Sequence, residues 1–416
     1  MIGDFLYYSP KNHSPFSETY FNKYIAGHNL ILLCICGLFM THLLSDNYTE
    51  IVPLVSSYLA IMAGLYSIAT FIFHNHQLDS RDKSLALTVL LLVLVIISIH
   101  IVFLGYLVPW ETLLKQFSLY FFLLMNPRSC ISPKLLLVVA LTIVCLTSTF
   151  SINSAIRLGT FNGSETPSPL SNSHDTAFVL AILSIWCFIY SCRRDFSRGL
   201  SRSLKVASLL LILETLMLRA FGPLLMILLF FMIKVSEIAP SGKLNFKRML
   251  NLSLLLIPPF TFLMLASLSR FSLDTGNSYR FSQNNNLIGN GRLDAWSETL
   301  QNLLVRRSTD FWFGTGTGTD LRVISIWKST RGSHSYILSI FWEYGVLFLL
   351  CNLLVFWIYF LRCSFVTRSV IFPVFASSVV TSGLLLGRTI PGLLLALMII
   401  SLHRLPSNLQ KTNDGK

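Results

Sequence analysis

The chain has 416 residues, of which 53% are hydrophobic and only 12% charged, and its mean hydropathy is +0.64. That composition excludes an ordinary soluble domain and a disordered chain, and it points to an all-α, polytopic membrane protein. The net charge of +13 does not call for nucleic acid, because membrane insertion itself selects a basic inner surface.

The apolar runs, in chain order, cover 28–44, 50–73, 84–107, 113–126, 134–151, 175–192, 203–218, 219–236, 249–268, 336–361, 369–387 and 390–403. They predict about 12 transmembrane helices. The fourth run is the weakest, with Glu111, Lys115 and Gln116 at its start. The seventh and eighth separate only because Arg219, Gly222 and Pro223 interrupt one long apolar stretch. Residues 1–27 are polar and aromatic, so the first run reads as an uncleaved span.

Charge asymmetry sets the expected orientation. With both termini inside, 20 of the 32 Lys and Arg residues face the cytoplasm, and 8 of the other 12 fall in one segment, 270–335. Three regions follow: 1–268 with spans one to nine, an outward loop at 269–335, and 336–416 with spans ten to twelve and a cytoplasmic tail. The eight cysteines lie in or beside spans and none is in the loop, which argues against disulfides and zinc. No nucleotide-binding motif is present.

Within the loop, Asn290-Gly291 can cap a helix starting at Arg292, which puts Leu293, Trp296, Leu300, Leu303 and Leu304 on one face. Arg292 and Trp296 stand one turn apart. An interfacial helix with an anchoring Trp and a snorkelling Arg would look the same. Gly314-Thr315-Gly316-Thr317-Gly318 is a turn, either a plain connector or a set of backbone N–H groups open to phosphate oxygens. His334 stands just before the tenth span, where a neutral imidazole is a competent general base or simply a polar boundary residue. Arg219, at the outer end of the seventh span, is either functional or a snorkelling side chain paired with Glu214. Outward arginines suit bidentate phosphate binding, and a histidine suits proton removal from an attacking hydroxyl. Together they point to transfer from a lipid-linked, phosphate-activated donor to an acceptor hydroxyl.

The order Asn290-Gly291-Arg292 with Trp296, then Gly314-x-Gly316-x-Gly318, then His334-x-x-x-Leu338 and Glu343-x-Gly345, resembles the signature region of the O-antigen ligase/polymerase family. Thr215–Ala220 resembles that family's arginine-bearing span junction. The likeness covers the whole chain in topology and is carried in sequence by 211–225 and 288–346. It implies a bacterial inner-membrane protein with a periplasmic loop between spans nine and ten. Arg219 and Arg292 would hold the undecaprenyl diphosphate of a glycan donor, and His334 would be the base on the acceptor. Trp296, Gly314, Gly316 and Glu343 would support them, with neither metal nor cofactor.

The resemblance covers two reactions: ligation of the polysaccharide to lipid A-core, which length and loop size favour, and polymerisation onto a second lipid-linked repeat. A reading from another class is an anion transporter with a basic funnel. That reading expects ionisable groups buried across several spans, whereas here they are few: His100, Glu214 and Glu343.

Overall fold

The computed structural model describes residues 15–45, 47–74, 80–104, 110–126, 131–158, 168–170, 173–193, 196–218, 220–238, 308–316, 335–380 and 389–402. Among these, every regular element is an α-helix. In chain order they are α1 (Pro15–Leu44), α2 (Tyr48–His74), α3 (Ser80–Leu104), α4 (Trp110–Met125), α5 (Pro133–Leu158) and α6 (Ser173–Ser191). Next come α7 (Arg198–Met217), α8 (Phe221–Ile238), α9 (Ser308–Phe313), α10 (Tyr336–Arg362), α11 (Phe365–Val380) and α12 (Thr389–Leu402).

Each apolar run except 249–268, which lies outside the described residues, coincides with one of these helices. Six of them are long and apolar enough to cross a bilayer: α1, α2, α3, α5, α6 and α10. α8, α11 and α12 carry shorter apolar stretches, Phe221–Val235, Val366–Ser377 and Ile390–Leu402. The chain is therefore a helical membrane protein, since a helix satisfies its backbone groups within its own segment.

The helices fall into two compact units, one of residues 1–79, 121–231 and 389–416, the other of 80–120 and 232–388. In the first, α6 is buried on nearly every side, with Trp186 and Phe178 fully enclosed. α7 packs along it and α12 crosses it. Small residues let α6 and α7 approach, and Ser208 Oγ donates to the Ser184 carbonyl at 2.8 Å. Elsewhere in this unit, Asn126 Nδ2 donates to Ser67 Oγ at 2.7 Å, and the His28 and Phe122 rings meet at 5.3 Å.

The second unit is organised around α10, with α3, α9 and α11 against it. Phe117 meets the rings of Tyr344 and Phe348 edge-on at 6.2 and 5.8 Å. Tyr120 Oη donates to Asn352 Oδ1 at 2.9 Å. Phe356 stacks on Phe375 at 4.8 Å, which fixes α11 beside the second half of α10. α10 is not continuous: Gly345 has φ 80 and ψ 174, a conformation that breaks the helix and that an L side chain rarely adopts.

Candidate functional site

The described part of the 269–335 segment is α9 with the turn that follows it, 308–316, and Ser335. α9 ends where Gly314 turns left-handed, at φ 83, and its N–H donates to the Asp310 carbonyl at 2.8 Å. The next two amides leave this helix for another: Thr315 N–H donates to the Trp342 carbonyl at 2.9 Å, and Gly316 N–H to the Glu343 carbonyl at 3.1 Å. Thr315 Oγ1 adds a second bond to the Trp342 carbonyl at 3.0 Å.

Those two carbonyls are the ones that the break at Gly345 leaves in need. In an unbroken helix they would accept from Val346 and Leu347, which lie just beyond the break. The glycine turn therefore caps the first half of α10. The approach is reciprocal and very close. A Cβ on Gly314 would stand 2.3 Å from the Glu343 carbonyl oxygen, and one on Gly345 would stand 2.3 Å from that of Trp312. Backbone meets backbone here, and both positions require glycine for space as well as for φ.

Aromatic rings complete the junction. Phe311 packs edge-on against Trp312 at 5.6 Å and against Phe341 at 5.4 Å, while Trp342 is fully buried. Trp312, Phe313, Tyr344, Leu347, Phe348 and His100 line a small open recess of about 40 Å³. His100 Nδ1 is 2.7 Å from the carbonyl of Ile96, in its own helix.

Of the residues expected from sequence, Gly314, Gly316 and Glu343 are brought together. Arg219, Arg292, Trp296 and His334 lie outside the described residues. Ser335, next to His334, has extended backbone (φ −131, ψ 125), stands at the N-terminal boundary of α10 without a side-chain capping bond and is buried. Of the Gly314–Gly318 phrase, Thr317 and Gly318 lie outside the described residues. The N–H groups of 314, 315 and 316 are all bonded to carbonyls of the protein, so this part of it is no phosphate cradle. It is also more than a connector.

The sequence reasoning passed over Thr315, whose hydroxyl and amide both reach Trp342. A lone Gly345 inside an apolar helical run was the available signal of a break. Glu214 is buried in α7, and its Oε1 accepts a hydrogen bond from Ser148 Oγ of α5. Among the described residues its Oε2, also buried, has no hydrogen-bond partner.

No protein-family model matches this chain, and no curated protein is similar to it.

Proposed function

We propose that this chain is a membrane glycosyltransferase that moves a glycan from undecaprenyl diphosphate to a sugar hydroxyl, most simply as an O-antigen ligase acting on lipid A-core. In this reading about 12 helices span a bacterial inner membrane, both termini are cytoplasmic and the 269–335 loop is periplasmic. Arg219 and Arg292 grip the donor diphosphate and stabilise its charge as it leaves. His334 takes the proton of the acceptor hydroxyl.

The observation that carries the reading is the junction of the Gly314–Gly316 turn with the Glu343–Gly345 break. Two phrases of the resemblance, about thirty residues apart in sequence, are halves of one backbone contact. Both ends of the stretch 317–334 are thereby tied to a single helix: Gly316 bonds to Glu343, and Ser335 starts α10. Ser335 and Glu343 are eight residues apart, about 12 Å along the axis. His334 adjoins Ser335, at one of those ends.

The test is the lipopolysaccharide ladder of a deletion strain complemented with wild-type or His334→Ala protein. A core without polymer, restored by wild type but not by His334→Ala at equal expression, supports ligation. Core bearing a single repeat means that the chain is a polymerase. An unchanged ladder refutes the glycosyltransferase, and altered anion uptake beside it would favour transport.

A further inference from the structure

A second feature is at the other end of α7 from Arg219, in the first compact unit. Arg198, Arg202, Lys205, Leu209, Leu213 and Leu216 recur at spacings of four, three, four, four and three residues, so they form one stripe along the helix. The whole stripe is exposed. The opposite face, with Leu204, Ala207, Leu211 and Thr215, is buried in the unit.

The charge on this stripe is unbalanced. The first turn of α7 holds no acidic residue, although Arg198 opens it and the N-terminal end of a helix is itself positive. The sole carboxylate of the helix, Glu214, is on the buried face. Arg193, nearby, is engaged differently, with its guanidinium 4.8 Å from the Phe196 ring and 5.6 Å from that of Tyr190.

We propose that this stripe binds one phospholipid with an anionic headgroup, its phosphate against Arg198, Arg202 and Lys205 and its chain along Leu209, Leu213 and Leu216. The dimensions agree. Arg198 to Lys205 covers about 10 Å of axis, within reach of the headgroup zone once long side chains snorkel. Lys205 to Leu216 covers roughly 16 Å, about half the hydrocarbon thickness and so the depth of one leaflet. An acidic protein or a nucleic acid would match the three cations but would leave the apolar half of the stripe bare. A lipid supplies the anion and the hydrocarbon in one line.

The full-length protein, purified in a neutral detergent, is titrated with phosphatidylglycerol and with phosphatidylcholine of the same chains, and bound lipid is read by native mass spectrometry. Phosphatidylglycerol should bind at least tenfold tighter. Near a membrane surface each cation contributes about fivefold, so Arg198→Gln/Arg202→Gln/Lys205→Gln should bring phosphatidylglycerol down to the affinity of phosphatidylcholine. Its phosphatidylcholine binding should be unchanged, which also shows that the variant is folded. On wild type alone, the preference should collapse as salt rises from 50 to 500 mM. Equal binding of the two lipids, a salt-independent preference, or a triple variant within twofold of wild type would overturn the proposal. So would displacement of phosphatidylglycerol by millimolar inorganic phosphate, because the site would then be an anion site without a lipid component.

Discussion

Gly345→Ala is the sharpest perturbation of the junction between the glycine turn and α10. The added methyl would stand 2.3 Å from the Trp312 carbonyl oxygen and 2.5 Å from the Phe313 nitrogen, where ordinary contact begins at 3.4 Å. The turn must retreat by roughly 1 Å, and both partners are backbone with little freedom to yield. Alanine at φ 80, ψ 174, a region that almost only glycine populates, costs about 1–3 kcal/mol by itself. Withdrawal of Thr315 and Gly316 then strands the carbonyls of Trp342 and Glu343 at a buried helix break, and each lost bond costs about 1 kcal/mol or more. Together the loss is about 3–5 kcal/mol, confined at first to this junction. Hydrogen exchange in detergent micelles reads it directly, as a fall of about two to four orders of magnitude in protection of the Thr315 and Gly316 amides. Gly37→Ala and Gly199→Ala are the controls, because a Cβ at either meets nothing within 4 Å. Both are helical, so alanine should be neutral or stabilising by about 0.5–1 kcal/mol. Unchanged protection at 315 and 316 in folded Gly345→Ala protein would refute the close approach.

Other substitutions separate the remaining interactions. Thr315→Ser keeps the hydroxyl bond to Trp342 and should melt within a degree or two of wild type, whereas Thr315→Val removes it and should cost about 1 kcal/mol. Ser148→Ala strips Glu214 of its hydroxyl donor and should destabilise by about 1–3 kcal/mol in a thermal shift assay, and Glu214→Gln, with a neutral amide in place of the carboxyl, should largely restore that loss. If Arg219 and Arg292 hold a diphosphate, Lys at either position should cost transfer activity and Ala more, while Lys at Arg306 or Arg307 should cost little; equal tolerance at all four would reduce the pair to membrane anchors. Purified protein should transfer glycan in EDTA without ATP, and a rate that returns only with magnesium would refute an arginine clamp.

Much of the architecture was legible because bilayer thickness and backbone hydrogen bonding leave few choices. A run such as 134–151 must be a helix, and α5 is one. Packing was less legible. α3 is the more apolar of the two yet exposes Leu87, Leu91 and Leu94, whereas the less apolar α6 is enclosed on nearly every side, because lipid tails are as apolar as a protein interior. The seventh run shows the same ambiguity in another form. Only the burial of the opposite face shows that Arg198, Arg202 and Lys205, before and at the start of that run, continue an exposed apolar stripe. The two glycine phrases were visible as phrases, but their pairing was not. Sequence spacing carries no record of which carbonyls a distant turn will reach.

That pairing has a consequence for how the loop is built. Breaking an apolar helix of 27 residues would leave carbonyl groups unsatisfied in a setting without water, and such groups cost several kcal/mol each. The break at Gly345 is therefore tolerable only with donors at hand, and the turn after α9 brings three: two amides and the Thr315 hydroxyl. The turn in turn needs the break, since its own amides point away from α9 and would be bare without Trp342 and Glu343. Neither element is stable in this form without the other, and both depend on glycine at the point of contact. A change in either phrase must then be felt in the other, and the segment between them, which includes His334, is held at its ends by the same contact. Activity lost through Gly314 or Gly345 would thus be a failure of position, with the chemical groups themselves intact.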